Sequence, residues 1–151
     1  MCNRTYSGGC LIVSGRFTTN CAGCNYLAPL ATSVAEFQAL KDLYNTTNGG
    51  SWTNSQNWLV GDPCISGWFG VTCNSGYGIV SLDLSNNNVA GTLPNSIGNL
   101  TFLTKLALGG NGVTGSIPSS VSSMALLSYL LLSNNRLSGT VPALPAGLTS
   151  L

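Results

Sequence analysis

The sequence predicts an α/β repeat, a coil of about three 24-residue turns that each offer one short strand, preceded by a helical cap. Three observations carry this prediction. Leu82, Leu106 and Leu130 recur at that period, as do Asn87, Asn111 and Asn135, Gly91, Gly115 and Gly139, and Pro94, Pro118 and Pro142. A helical apolar pattern and three tryptophans stand directly before the first repeat. With 151 residues, 44% of them hydrophobic, the chain is long enough for one compact domain or one small domain with an appendage.

Residues 1–32 form a Cys-rich N-terminal extension. Its Cys2, Cys10, Cys21 and Cys24 permit three pairings, and the sequence does not choose among them. Together with Cys64 and Cys73 they make an even set in a small chain that has no histidine, which favours disulfides over metal. The "CAGC" at 21–24 has the spacing of a redox or zinc motif. Redox chemistry wants a strand-to-helix setting, however, and zinc wants two further unpaired ligands.

Residues 33–79 read as an N-terminal cap. In "SVAEFQALKDLYN", Ser33 and Glu36 make a capping box, and Val34, Phe37, Leu40, Leu43 and Tyr44 form one apolar stripe. "NTTNGG" ends the helix. The following "SWTNSQNWLVGDPCISGWFGVTC" brings Trp52, Trp58 and Trp68 together with Cys64 and Cys73. A stripe and three indoles placed here predict a lid, because the open end of a coil exposes its core and its strand edge.

Residues 80–151 hold the repeats, at 82–105, 106–129 and 130–151. Leu82, Leu84, Val89, Leu93, Ile97, Leu100 and Leu103 are the inward set of the first turn. Asn87, Asn111 and Asn135 are expected to bond the backbone of the bend after each strand, their copies forming a structural ladder. Outward strand positions include Ser81, Asp83, Lys105, Ala107, Tyr129 and Leu131, a mix of acid, base, aromatic and aliphatic that makes them candidate protein-contact residues. In register, the final "PALPAGLTSL" supplies most of one turn's far side with no second cap. Leu130, Leu132, Leu137, Leu148 and Leu151 are therefore expected to border an open face that needs a neighbour.

The repeats "LDLSNNNVAGTLPNSIGNLTFLTK", "LALGGNGVTGSIPSSVSSMALLSY" and "LLLSNNRLSGTVPALPAGLTSL" resemble the plant-type leucine-rich repeat, LxLxxNxLxGxIPxxhxxLxxL, in which h is apolar. The resemblance implies a right-handed solenoid with parallel strands on a concave face. "GGNG" at 109–112 and Pro145 depart from it, so the last turn is expected to be less regular. The preceding segment resembles the N-terminal cap of plant-type and related protist and bacterial repeat proteins, which implies a Cys64–Cys73 disulfide.

Composition bounds the role. Only 6% of residues are charged, against about 25% in ordinary soluble proteins. A net charge of +1 with scattered basic residues offers no footprint for nucleic acid or anionic lipid. No apolar run approaches the roughly 18 residues of a membrane span. Asn3, Asn45 and Asn99 head Asn-X-Ser/Thr sequences, sugar acceptors in a secreted protein, and glycans would replace the missing charge as a solubilising surface. "MCNRTYSGGC" lacks the basic-then-apolar start of a signal peptide, so a secreted protein would be a processed or partial chain.

The four carboxylates, Glu36, Asp42, Asp62 and Asp83, suggest no acid–base pair, and the sequence holds no Ser–His pair, phosphate loop or metal cluster. The expectation is a protein with no catalytic residues, cofactor or metal. It is an extracellular interaction module, glycosylated, acting as a structural or assembly component of a cell surface, wall or filament, with a protein or a second copy of itself as partner. The alternative is a ligand-recognition ectodomain of a receptor-like or polygalacturonase-inhibitor-like protein.

Overall fold

The computed structural model describes residues 31–149. Asn3, Cys2, Cys10, Cys21, Cys24 and Leu151 lie outside them.

The helix α1 spans Val34–Thr46. Ser33 caps it, its hydroxyl accepting from the Glu36 amide and donating to the Glu36 carboxylate. Glu36 does not return to the cap backbone. Its other oxygen accepts the Ile79 amide at 3.1 Å, so half of the expected capping box is given to fixing the first repeat strand. The buried stripe is Glu36, Ala39, Leu40 and Leu43, with Phe37 and Tyr44 half-buried. Val34 is exposed, contrary to the predicted stripe, because it opens the first turn before the helix reaches the core.

A short helix α2, Pro63–Ser66, is capped by Asp62, whose carboxylate accepts from the Cys64 and Ile65 amides. The strand β1, Val71–Cys73, then pairs antiparallel with β2, Ile79–Asp83. The repeats add β3 (Ala90–Thr92), β4 (Lys105–Ala107), β5 (Gly112–Gly115), β6 (Tyr129–Leu131) and β7 (Arg136–Leu137). One sheet runs β1-β2-β4-β6, parallel after its first pair, and the other runs β3-β5-β7, all parallel. The second sheet is a difference from the one strand per turn read in the sequence. "VAGT", "VTGS" and "LSGT" are too short and Gly-rich to signal strands alone, and pairing with the next turn makes them so.

Each of the first two turns crosses its far side on a 3-10 helix, Asn95–Asn99 and Ser119–Ser123. The third turn has none among the described residues, in keeping with Pro145. α1 packs against Asn95–Asn99 as that segment packs against Ser119–Ser123, so the cap helix stands in for the missing earlier turn. Asn86, Gly110 and Asn134, one period apart, all adopt left-handed backbone, with φ of 52°, 69° and 55°. This is why "GGNG" replaces the polar bend without breaking the coil: glycine and asparagine both tolerate that conformation.

One hydrophobic cluster runs from Ala39 to Leu130. Trp52, Trp58 and Trp68 lie within it. Trp58 links the other two, with ring centroids 4.7 Å from Trp52 and 5.0 Å from Trp68. Each indole N–H donates to a carbonyl, of Thr47, Phe69 and Val60 respectively, so none is buried unsatisfied. Cys64 and Cys73 form a disulfide across a sequence separation of 9. Replacing both by serine is expected to cost about 2–3 kcal/mol in chain entropy, read as a lower urea midpoint. A loss under about 0.5 kcal/mol would show that packing alone fixes the loop.

Candidate functional site

The register of the larger sheet aligns Ser81, Lys105 and Tyr129 in one row and Asp83, Ala107 and Leu131 in the next. Leu82, Leu106 and Leu130 lie between the rows, fully buried. Lys105 reaches across to Asp83, Nζ to Oδ2 at 2.7 Å. Tyr129 is 49% exposed, and Leu131 and Ser81 are half-buried. Ala107 corrects the sequence reading: at 1% exposure it offers nothing to a partner. It stands on the central strand of the three, in register between Asp83 and Leu131.

Burial alone would raise the Asp83 carboxyl, but hydrogen bonds from Lys105 and Ser85 outweigh that and hold it below its usual value. A depressed acid stabilises the fold above its unfolded value of 3.8, and the contribution is lost as pH falls through the lower folded value. Both partners are about two-fifths exposed, so water screens the pair. Asp83→Asn is expected to change stability by less than about 1 kcal/mol at pH 7 and by nothing measurable near pH 2. Urea titrations at the two pH values check this.

The asparagine positions are occupied by backbone work. Asn111 Oδ1 accepts the Asn87 and Val89 amides of the preceding turn, and its Nδ2 donates to the Leu84, Leu108 and Gly109 carbonyls. Asn135 accepts the Val113 amide and donates to the Leu108, Leu132 and Ser133 carbonyls. The steps run through backbone rather than from one side chain to the next. Asn87, with no earlier repeat to hold, makes a two-way pair with the amide and carbonyl of Asn54 in the cap. Asn54 has no periodic signature, and no sequence signal pointed to it.

At the C-terminal end, Leu130 corrects the predicted open face: it is 0% exposed. The last half-turn folds over it, with Leu144 and Leu148 against the core and Thr149 donating to the Ser128 carbonyl through both its amide and its hydroxyl. Leu132, Leu137 and Leu148 are half-buried. Ile117, Leu132, Leu137 and Val141 line a groove of about 280 Å³ there. β6 and β7 are the last strands of their sheets among the described residues.

Asn45 and Asn99 are both exposed, one on α1 and the other on the 3-10 helix packed against it. The carboxylates are committed to structure: Glu36 to Ile79, Asp62 to the α2 amides and Thr32, and Asp42 to Ser96 and Gln38. The hydrogen bond from Ser96, then that from Gln38, holds the Asp42 carboxyl below its usual value. The geometry offers surfaces for contact, and among the described residues it gathers no three His, Cys, Asp or Glu side chains as a metal site would need.

The family model described as Leucine Rich Repeat matches residues 78–100 and 126–148. A probable leucine-rich repeat receptor-like protein kinase of Arabidopsis thaliana is 39% identical over 75 residues, which is 50% of this chain and 8% of that protein. The ectodomain of the Arabidopsis receptor kinase SOBIR1 superposes with a TM-score of 0.66 at 25% identity, over 80% of this chain and 66% of the other. A plant ice-binding protein gives 0.68 at 30% identity, over 80% and 40%. The Arabidopsis HAESA ectdomain, solved with a peptide hormone ligand, gives 0.63 at 28% identity, over 76% and 20%. The chain thus spans less than two thirds of each relative's length. Repeats, cap and parallel sheets together make the chain similar to plant leucine-rich-repeat receptor-kinase ectodomains.

Proposed function

We propose that the chain is a non-catalytic protein-recognition module, placed outside the cell, that takes an extended peptide or a partner loop across the strands β2, β4 and β6. The observation that carries this reading is the pair of rows in which exposed Tyr129 stands beside the Lys105–Asp83 pair and Leu131. An aromatic anchor next to a screened ion pair combines buried area with direction. Glycans at Asn45 and Asn99 would lie on the helical side and leave this face open. The likeness to the HAESA ectodomain, solved with a peptide hormone ligand, supports a peptide as the kind of partner.

Peptides selected from a displayed library against the intact protein test it. Tyr129→Ala is expected to weaken the selected peptides at least tenfold, about 1.4 kcal/mol or more. Peptides indifferent to Tyr129, Lys105 and Leu131 would remove the strand face from the proposal.

A second reading has its own observation. Asn135 Oδ1 and Asn111 Oδ1 each accept amides of the turn before, while β6 and β7 are the last strands of their sheets among the described residues, with half-buried leucines alongside. A further surface seated there, from a second copy in a wall- or filament-like assembly, would complete the stack. Sedimentation across a hundredfold concentration range should then show growing oligomers, and a lone monomer throughout would sink this reading.

A further inference from the structure

Each turn of the coil aims backbone groups at the turn that follows, and an asparagine of that turn answers them. Asn111 Oδ1 accepts the Asn87 and Val89 amides at 2.9 and 3.0 Å, and its Nδ2 donates to the Leu84 carbonyl at 2.8 Å. One period on, Asn135 Oδ1 accepts the Val113 amide at 2.9 Å and its Nδ2 donates to the Leu108 carbonyl at 2.8 Å, while the Asn111 amide donates to the Asn134 carbonyl. The strand ends follow the same rule. The Leu84 and Asn86 amides donate to the Ala107 and Gly109 carbonyls, and those of Leu108 and Gly110 donate to the Leu131 and Ser133 carbonyls.

The third turn presents the same groups in the same shape. Asn134 and Gly139 hold left-handed backbone at φ of 55° and 83°, as Gly110 and Gly115 do at 69° and 73°. The Leu132, Asn134, Asn135 and Leu137 amides are the counterparts of those donors. Ser138 is the residue that donates back to the Gly115 carbonyl of β5, so the Leu137 amide faces the other way, as the Val113 amide faces Asn135. The Leu108 carbonyl serves both Asn111 and Asn135, whereas among the described residues the Leu132 carbonyl serves Asn135 alone, with a second lone pair to give. Apolar groups repeat the contrast. Leu84, Val89, Leu108 and Val113 are fully buried, while Leu132 and Leu137 are half-buried and, with Ile117 and Val141, line the groove of about 280 Å³.

We propose that this end of the coil binds an extended segment of another protein in which an asparagine follows one aliphatic residue by three positions and precedes a second by two, the spacing of Leu108, Asn111 and Val113. Its carboxamide accepts the Asn135 and Leu137 amides and donates to the Leu132 carbonyl. Its backbone takes the Leu132 and Asn134 amides, and its aliphatic side chains cover Leu132, Leu137 and the groove. A carboxylate brings the acceptor without the donor and an ammonium the donor without the acceptor, so the pattern selects a carboxamide. Backbone bonds to a sheet edge give such a segment affinity, and the side-chain fit gives it specificity. A second copy has no segment of this kind to spare among its described residues: Asn87, Asn111 and Asn135 are each engaged within their own stack. The site is separate from the strand face around Tyr129 and does not need it.

A synthetic peptide with the sequence of residues 82–93, LDLSNNNVAGTL, titrated into the isotope-labelled intact protein, tests this. The Asn135 and Leu137 amide proton resonances are expected to move downfield to saturation, while those of Asn87 and Val89, already bonded, stay in place. A peptide carrying Asn87→Asp should bind about tenfold more weakly or worse at pH 7, since it cannot donate. In the protein, Val141→Arg changes an exposed residue of the groove, and it should weaken binding about tenfold or more with the rest of the amide spectrum preserved. Tyr129→Ala should leave this binding unchanged. No movement at Asn135 and Leu137, or equal binding of the Asn87→Asp peptide, overturns the proposal. So does the same movement in the protein alone as its concentration rises, which would assign the end to a second copy.

Discussion

Asn111→Ala is expected to destabilise the protein by about 3–5 kcal/mol, the sum of several small penalties of about 1–3 kcal/mol for each buried polar group left unpaired. The side chain accepts two amides and donates to three carbonyls, and alanine replaces none of these bonds. The site lies between two turns and is half-buried, so water can take over only some of these bonds. Asn135→Ala should cost roughly half as much, since Asn135 accepts a single amide and stands nearer the end of the described coil. Equilibrium urea unfolding of both variants checks the order and the size. If the two losses are equal, the ladder's strength does not depend on being enclosed by turns on both sides.

Trp68→Ala is expected to cost about 3–5 kcal/mol, the range for truncating a large buried aromatic. Trp68 is fully enclosed between Phe37 at 5.5 Å and Trp58 at 5.0 Å, and its indole satisfies the Val60 carbonyl. The loss should be felt beyond the cap. The hydrophobic cluster is continuous from α1 to β6, and β1 covers the edge of β2, so removing the centre of the cap exposes the first turn. Tryptophan fluorescence, which reports the cap, and far-ultraviolet circular dichroism, which reports the whole chain, should therefore unfold at one midpoint. A fluorescence transition that precedes the dichroism transition would mean that the repeats stand without their lid.

The repeats were legible in the sequence because a period leaves the same residue types in the same places. Leu82, Leu106 and Leu130 had to point inward together, and Asn87, Asn111 and Asn135 had to meet the same bend. The cap was legible for a different reason: a stripe and three indoles have nowhere to go except onto an open end. What escaped was whatever depends on a partner far away in the chain. Glu36 looked like a capping-box acid until Ile79 took one of its oxygens, and Asn54 carried no mark of its pairing with Asn87.

The candidate site shows the same division. Alternation along a strand placed Ser81, Asp83, Lys105, Tyr129 and Leu131 on one face, since side chains two apart point the same way. It placed Ala107 there as well, and only the folded chain shows that this residue is buried. Leu130 was read as bordering an open end, and the fold of residues 144–149 over it decided otherwise.

The sequence by itself determined the period, the inward face of each turn and the need for a lid, because burial of recurring apolar residues admits one winding of the chain. The tertiary structure alone decided the second sheet, the exchange between Asn87 and the cap, and which outward residues a partner can touch. Those depend on how adjacent turns cover one another, and coverage is a property of neighbours rather than of any one residue.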